Sequence, residues 1–339
     1  MFSFASFLDL PLIWFGLIIL AVFMYVILDG FDLGVGILFP FAPTEKCRDR
    51  MMNSIAPFWD GNETWLVLGG GGLFAAFPLA YAVLMPALYI PVILMLLGLA
   101  FRGVAFEFRY KAAGATRKLW DWSFSVGSLV ATFCQGLFLG TFIQGLKVQG
   151  RSFAGSGFEW LSGFSIMTGL ALVCGYALLG STWLIMKTED DTQQWARRCA
   201  KVFLVFVVVF MILVSLGTPF INEGIKNFWF SWPNIIFLSP LPLLSAVMLV
   251  LLWLDLRHRR EYRPFFLSLG LFLMNYIGLG LSIWPWLVPY AITFRQAAAS
   301  PQSQSLLLIG AAICLPVILS YTAYSYFVFR GKTSHEGFY

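Results

Sequence analysis

The sequence predicts an all-α polytopic membrane protein: nine transmembrane helices, the N-terminus outside and the C-terminus in the cytoplasm. Three observations carry that prediction. The 339-residue chain is 59% hydrophobic and only 12% charged, against about 25% charged in soluble domains. Its apolar stretches are continuous and long enough to cross a bilayer as helices, instead of alternating over ~10 residues as barrel strands do. Its basic residues collect on alternate connections, which marks those connections as cytoplasmic.

The first span, 10–38, is apolar except for Asp29 and Asp32, and no basic segment precedes it, so residues 1–11 do not read as a cleavable signal. The second, 55–78, opens on WDGNETW and continues into four glycines; a turn near Pro78 separates it from the third, 80–106, which runs into FRGVAFEFR. Basic clusters or polar loops then bound the fourth to ninth spans at 119–143, 161–186, 202–219, 236–254, 265–288 and 306–329. Of the 22 Lys and Arg residues, 17 fall on one set of connections and the tail, 4 on the opposite set, and Arg102 lies inside a span. The net charge of +5 is therefore a topology signal and not a nucleic-acid footprint. The whole chain, 1–339, reads as a single integral membrane domain without repeats, and Trp14, Trp229, Trp232 and Trp286 sit where an outer aromatic belt belongs.

Acids inside the membrane are costly and usually functional. At ~1.5 Å of rise per residue, Asp32 lies ~12 Å inside the cytoplasmic end of its span and Asp29 one turn deeper. Counted from Ile55, Asp60 and Glu63 lie ~8 Å and ~12 Å inside the second span, and Arg102 ~9 Å inside the third. These residues share one layer in the cytoplasmic half. Asp29 and Asp32 are on one face of their helix, and Asp60, Glu63 and Thr64 on one face of theirs. Gly30–Gly34 and the Gly69–Gly72 run are expected to let these two faces approach. Four acids share the layer with one certain base, Arg102, while Glu107 at the rim is a second charge partner or pairs with Lys111. A carboxyl layer of this kind suits proton uptake from the cytoplasm; buried acids that merely cross-link helices are the plainer alternative.

Only two histidines occur, His258 in a basic loop and His335 in the tail, so no span offers the imidazole that membrane haem proteins use. Five scattered cysteines form neither a metal knuckle nor a disulfide framework. The Gly69–Gly72 run lacks a following Lys-Ser/Thr, which excludes a phosphate loop.

The motifs LDGFDLGVG (28–36), FWDGNETWLVLGGGGLFAAFP (58–78) and FRGVAFEFR (101–109) resemble subunit II of the cytochrome bd-type quinol oxidases, with most of the likeness in the first third of the chain. The resemblance implies two four-helix bundles plus one peripheral helix in a bacterial cytoplasmic membrane. It implies a pseudo-symmetric heterodimer with subunit I, which carries haem b, haem d and the quinol-binding loop and reduces O2 to water. This chain would bind no haem, support its partner and serve the proton and oxygen routes, with Asp60 on the proton route and Trp65 at the mouth of an oxygen channel. Asp29 and Asp32 match the pattern as well. A structural quinone and a small single-helix accessory subunit also accompany the resemblance. The alternative is a self-contained proton-coupled transporter, which should show inverted repeats with broken helices in both halves. Here the intramembrane charges all lie in the first three spans.

Overall fold

The structure is a computed structural model and describes residues 9–333; His335 lies outside them. α1 (Leu10–Leu38) has the predicted bounds and ends in a 3-10 turn, Phe39–Phe41. Next comes a helix the hydropathy pattern did not reveal, α2 (Glu45–Ile55). Thr44 caps it by accepting the backbone N–H of Cys47, and Glu45 in its first turn suits the helix dipole. α2 buries Met51, Met52 and Ile55 in the protein core.

The second span accordingly starts later than predicted, as α3 (Trp59–Ala76), because Ile55 completes α2 and Pro57 separates the two helices. It also ends earlier. Pro78 opens a separate short helix, α4 (Pro78–Ala87), bent 119° away from α3, and the third span is α5 (Tyr89–Lys111). The predicted start at 80 was wrong because residues 78–87, although apolar, fold back over the outer end.

α6 (Gly114–Gln144), a two-stranded hairpin β1 (Val148–Gln149) and β2 (Ser152–Phe153), and α7 (Gly163–Lys187) follow. α8 (Asp190–Ile221) begins before its predicted span, with a polar first stretch. The short outer helices α9 (Glu223–Phe230) and α10 (Asn234–Leu238) lead into α11 (Pro240–Arg257) and α12 (Arg263–Ile283). α12 stops short of its predicted end because residues 286–293 form a hairpin, β3 (Trp286–Val288) with β4 (Ile292–Thr293). α13 (Phe294–Ala297) and α14 (Pro301–Val328) complete the chain. Among the described residues eight helices are long and apolar enough to cross a membrane, nine when the bent α3–α4 pair counts as one span.

α1 is central, packed on α3, α6 and α7. Its GxxxG pair faces α7, not α3 as expected: a Cβ on Gly34 would lie 1.8 Å from the Tyr176 carbonyl oxygen, and Gly180 abuts Gly34 in return. Trp14, expected in the outer belt, is buried and donates its indole N–H to the Gln304 carbonyl at 3.0 Å. All five cysteines are free. An outer core gathers Trp14, Phe77, Leu84, Val288 and Phe294, while the inner core gathers Phe31, Met51, Trp183 and Phe265.

Candidate functional site

The site forms where α1, α3 and α5 meet, at the level of the last turns of α1 and the first turns of α3. α5 is brought close to α6 by Gly98 and Gly127, each of whose absent Cβ would meet the other's carbonyl within 2.7 Å. This contact seats Arg102, whose guanidinium Nη1 donates to Asp29 Oδ1 at 2.7 Å. Both side chains are sealed from solvent, at 1% and 0% exposure. One turn along α1, Asp32 accepts from Asn62 Nδ2 of α3 at 2.7 Å, and the same amide reaches the Leu28 carbonyl at 3.3 Å. Tyr326 of α14 donates to Asn62 Oδ1 at 3.0 Å. Asp29, Asp32 and Arg102 thus lie close together, as two separately bonded pairs, Asp29–Arg102 and Asp32–Asn62.

α3 presents two stripes. Asn62, Trp65, Gly69, Gly72 and Ala76 face inward, whereas Asp60, Thr64, Val67, Gly71 and Phe74 face outward and are exposed on this chain. Asp60 thus points away from Asp29 and Asp32, and because α3 begins at Trp59 it lies in the first helical turn, nearer the end of the helix than the count from Ile55 predicts. Glu63 is half-buried between the two stripes and acts electrostatically on Arg102. The expected common face of Asp60, Glu63 and Thr64 is therefore an outward face on which only Glu63 turns inward. Trp65 is buried against Ala21 and Tyr25, with Leu66, Leu68 and Leu315 beside it.

Glu107 does not join the layer. It is exposed on the outer face of α5, and among the described residues it makes no ion pair with Arg102 or Lys111. The base that does gather acids nearby is Arg109, fully buried, which donates to Asp49 and Asp121 and approaches Glu45 at 3.5 Å. Arg117 shares Asp49, so the cluster ties α2 to the α5–α6 corner. Glu45 and Asp49, four residues apart on an amphipathic stretch, were the sequence signal for it. Gln135, between Tyr25 and Tyr176 at 2.8 and 3.0 Å, extends the polar interior toward α6 and α7. Nothing local in the sequence marks it.

His258, the only histidine among the described residues, is exposed at the end of α11, with a ring nitrogen 2.8 Å from the Leu254 carbonyl. Among the described residues no group of three or more His, Cys, Asp and Glu side chains is arranged to hold a metal.

The model of the family "Cytochrome bd terminal oxidase subunit II" matches residues 10–329, well beyond the first third that carries the motifs. The chain is 30% identical to the cytochrome bd ubiquinol oxidase subunit 2 of Bacillus subtilis, over 96% of this chain and 97% of that protein. It is 28% identical to the cytochrome bd-I ubiquinol oxidase subunit 2 of Escherichia coli K12, over 96% of each. Among solved structures, the bd oxidase of Geobacillus thermodenitrificans matches with a TM-score of 0.74, covering 95% of this chain and 99% of that one, at 18% identity. With a fold shared end to end and the acid motifs of α1 and α3 in place, the chain belongs to the cytochrome bd terminal oxidase subunit II family.

Proposed function

We propose that this subunit of a respiratory cytochrome bd quinol oxidase binds no haem itself, seats the haem-bearing subunit I on the outer face of α3 and α5, and delivers cytoplasmic protons through its acid layer. One observation carries the reading: Asp60 and Thr64 lie exposed on a membrane helix, one face away from the sealed Asp29–Arg102 and Asp32–Asn62 pairs. Polar side chains exposed along a membrane helix are costly in lipid, so a partner is expected to cover this face. Glu107, exposed on α5, fits the same partner face.

Protons would enter near the start of α3, at Asp60, and pass by way of Glu63, with Asp29 and Asp32 set by Arg102 and Asn62. Oxygen reduction consumes protons; drawing them from the cytoplasm while quinol releases its own outside builds a potential without a pump. Haem b and haem d belong to subunit I in this reading. Trp65, set among aliphatic side chains, suits a path for apolar O2. A structural quinone and a single-helix accessory subunit rest on the family resemblance alone.

The arrangement of two four-helix bundles plus one peripheral helix is supported by the contacts. α1, α3, α5 and α6 group together, α7, α8, α11 and α12 close a ring, and α14 touches mainly α3 and α1. The orientation is supported by the basic-residue asymmetry. A self-contained transporter no longer competes, given the family. The test is Asp60→Asn against Asp60→Glu in the assembled oxidase. Asn should slow oxygen consumption at least about tenfold, the low end of losing a proton-transfer group. Glu should keep more activity, with haem content normal in both. Normal turnover with Asn removes Asp60 from the route, and loss of assembly makes it a structural contact.

A further inference from the structure

α14 is the least packed of the spanning helices, with 6% of its apolar window buried, yet polar clips hold it at both ends. At the outer end the buried Gln304 donates to the Ala76 carbonyl at 3.0 Å, and its own carbonyl accepts from Trp14. At the inner end stands Tyr326, whose ring stacks on Phe58 with centroids 4.4 Å apart. Its hydroxyl reaches Asn62 Oδ1 at 3.0 Å. Just beyond, the chain folds onto the end of α7: Thr333 N–H donates to the Lys187 carbonyl at 2.8 Å, and Lys332 donates to the Thr188 carbonyl at 3.0 Å.

The amide of Asn62 has two different ends, and its surroundings choose between them. The Leu28 carbonyl can only accept, so the NH2 end must face Leu28 and Asp32. The carbonyl end is then left for a donor, and Tyr326 supplies one. Without that hydroxyl the amide is anchored on one side only, and rotation about its last torsion withdraws the donor from Asp32. We propose that Tyr326 is a positioning residue for the acid layer: α14 reaches back across the fold to hold Asn62 in the one orientation that donates to Asp32. The weakly packed helix thereby completes a site built otherwise from α1, α3 and α5. For turnover, though not for geometry, this rests on the proton-delivery reading above.

The test uses the assembled oxidase carrying Tyr326→Phe, which keeps the stack on Phe58 and removes only the hydroxyl. The infrared band of Asp32, identified by its loss in Asp32→Asn, is followed together with the pH profile of oxygen consumption. The expected result is a displaced Asp32 band and a displaced profile at normal haem content. In the Asp32→Asn background Tyr326→Phe should add nothing to the turnover change, so the two substitutions couple by about two- to tenfold, the worth of one hydrogen bond. Asn62→Leu should displace the same band and leave Tyr326→Phe without further effect on it. An unchanged Asp32 band in Tyr326→Phe overturns the proposal. A displaced band with unchanged turnover in both Tyr326→Phe and Asp32→Asn upholds the positioning role and instead removes Asp32 from proton delivery.

Discussion

Arg102→Leu is the perturbation whose size follows most directly from the geometry. Two unit charges 2.7 Å apart attract by about 6 kcal/mol at an effective dielectric of about 20. Desolvating both groups consumes much of that attraction, so the pair itself contributes little net stability. Removing one partner is another matter. It strands Asp29 at 0% exposure beside Asp32, also at 0%, and breaking a buried pair in this way costs about 3–5 kcal/mol. That is a large share of the roughly 5–15 kcal/mol that holds a domain folded. Arg102→Leu is therefore expected to lower the Tm of the detergent-solubilised oxidase sharply and reduce its yield. The companion is Arg102→Leu with Asp29→Leu, which removes the pair as a unit and should recover most of the lost stability. Unfolding is followed by intrinsic fluorescence and by haem release. If the double variant is no more stable than Arg102→Leu alone, the cost does not come from a stranded carboxylate, and the reasoning fails.

Other outcomes follow from the same structure. Periplasm-active reporters fused after Gly150 or Ser300 should be on, and those after Lys187 or Arg263 off; the reverse would invert the placing of the acid layer. Gly34→Ala puts a methyl 1.8 Å from the Tyr176 carbonyl, so it should cost at least the ~1–3 kcal/mol of ordinary overpacking. Gly16→Ala on the same helix meets nothing within 4 Å and should be neutral in the same thermal assay. In the connection between α11 and α12, the Lys332 hydrogen bond at 2.7 Å lowers Glu261 from its ordinary 4.5, against a smaller opposing effect of burial. A depressed carboxyl stabilises the fold above its ordinary value and loses that contribution as pH falls through the lowered one. The Tm gap between native and Lys332→Met oxidase should therefore be full near neutral pH and close progressively below about pH 4.5. A gap that widens on acidification contradicts the sign.

The class, the near-positions of most spans and the placing of Asp29, Asp32 and Arg102 inside apolar helices were legible in the sequence. Span length, loop charge and rise per residue are one-dimensional quantities, and they survive folding unchanged. Two of its errors in bounds came where an apolar run is not one straight helix: α4 bends away at Pro78, and the β3–β4 hairpin takes the end predicted for α12. The rotation of each helix emerged only once the helices had packed together. In a soluble helix the hydrophobic stripe phases the rotation, but a membrane helix is apolar on its lipid face and its protein face alike, so small residues and polar contacts set the phase instead. Gly34 therefore turned α1 toward α7, and Asn62 turned inward where Asp60 had seemed the natural member of the buried layer. Arg109 proved to gather three acids from two other helices. Tyr326, 264 positions from Asn62, carries no local sign of its contact, because that hydrogen bond exists only once the last helix has docked on the third.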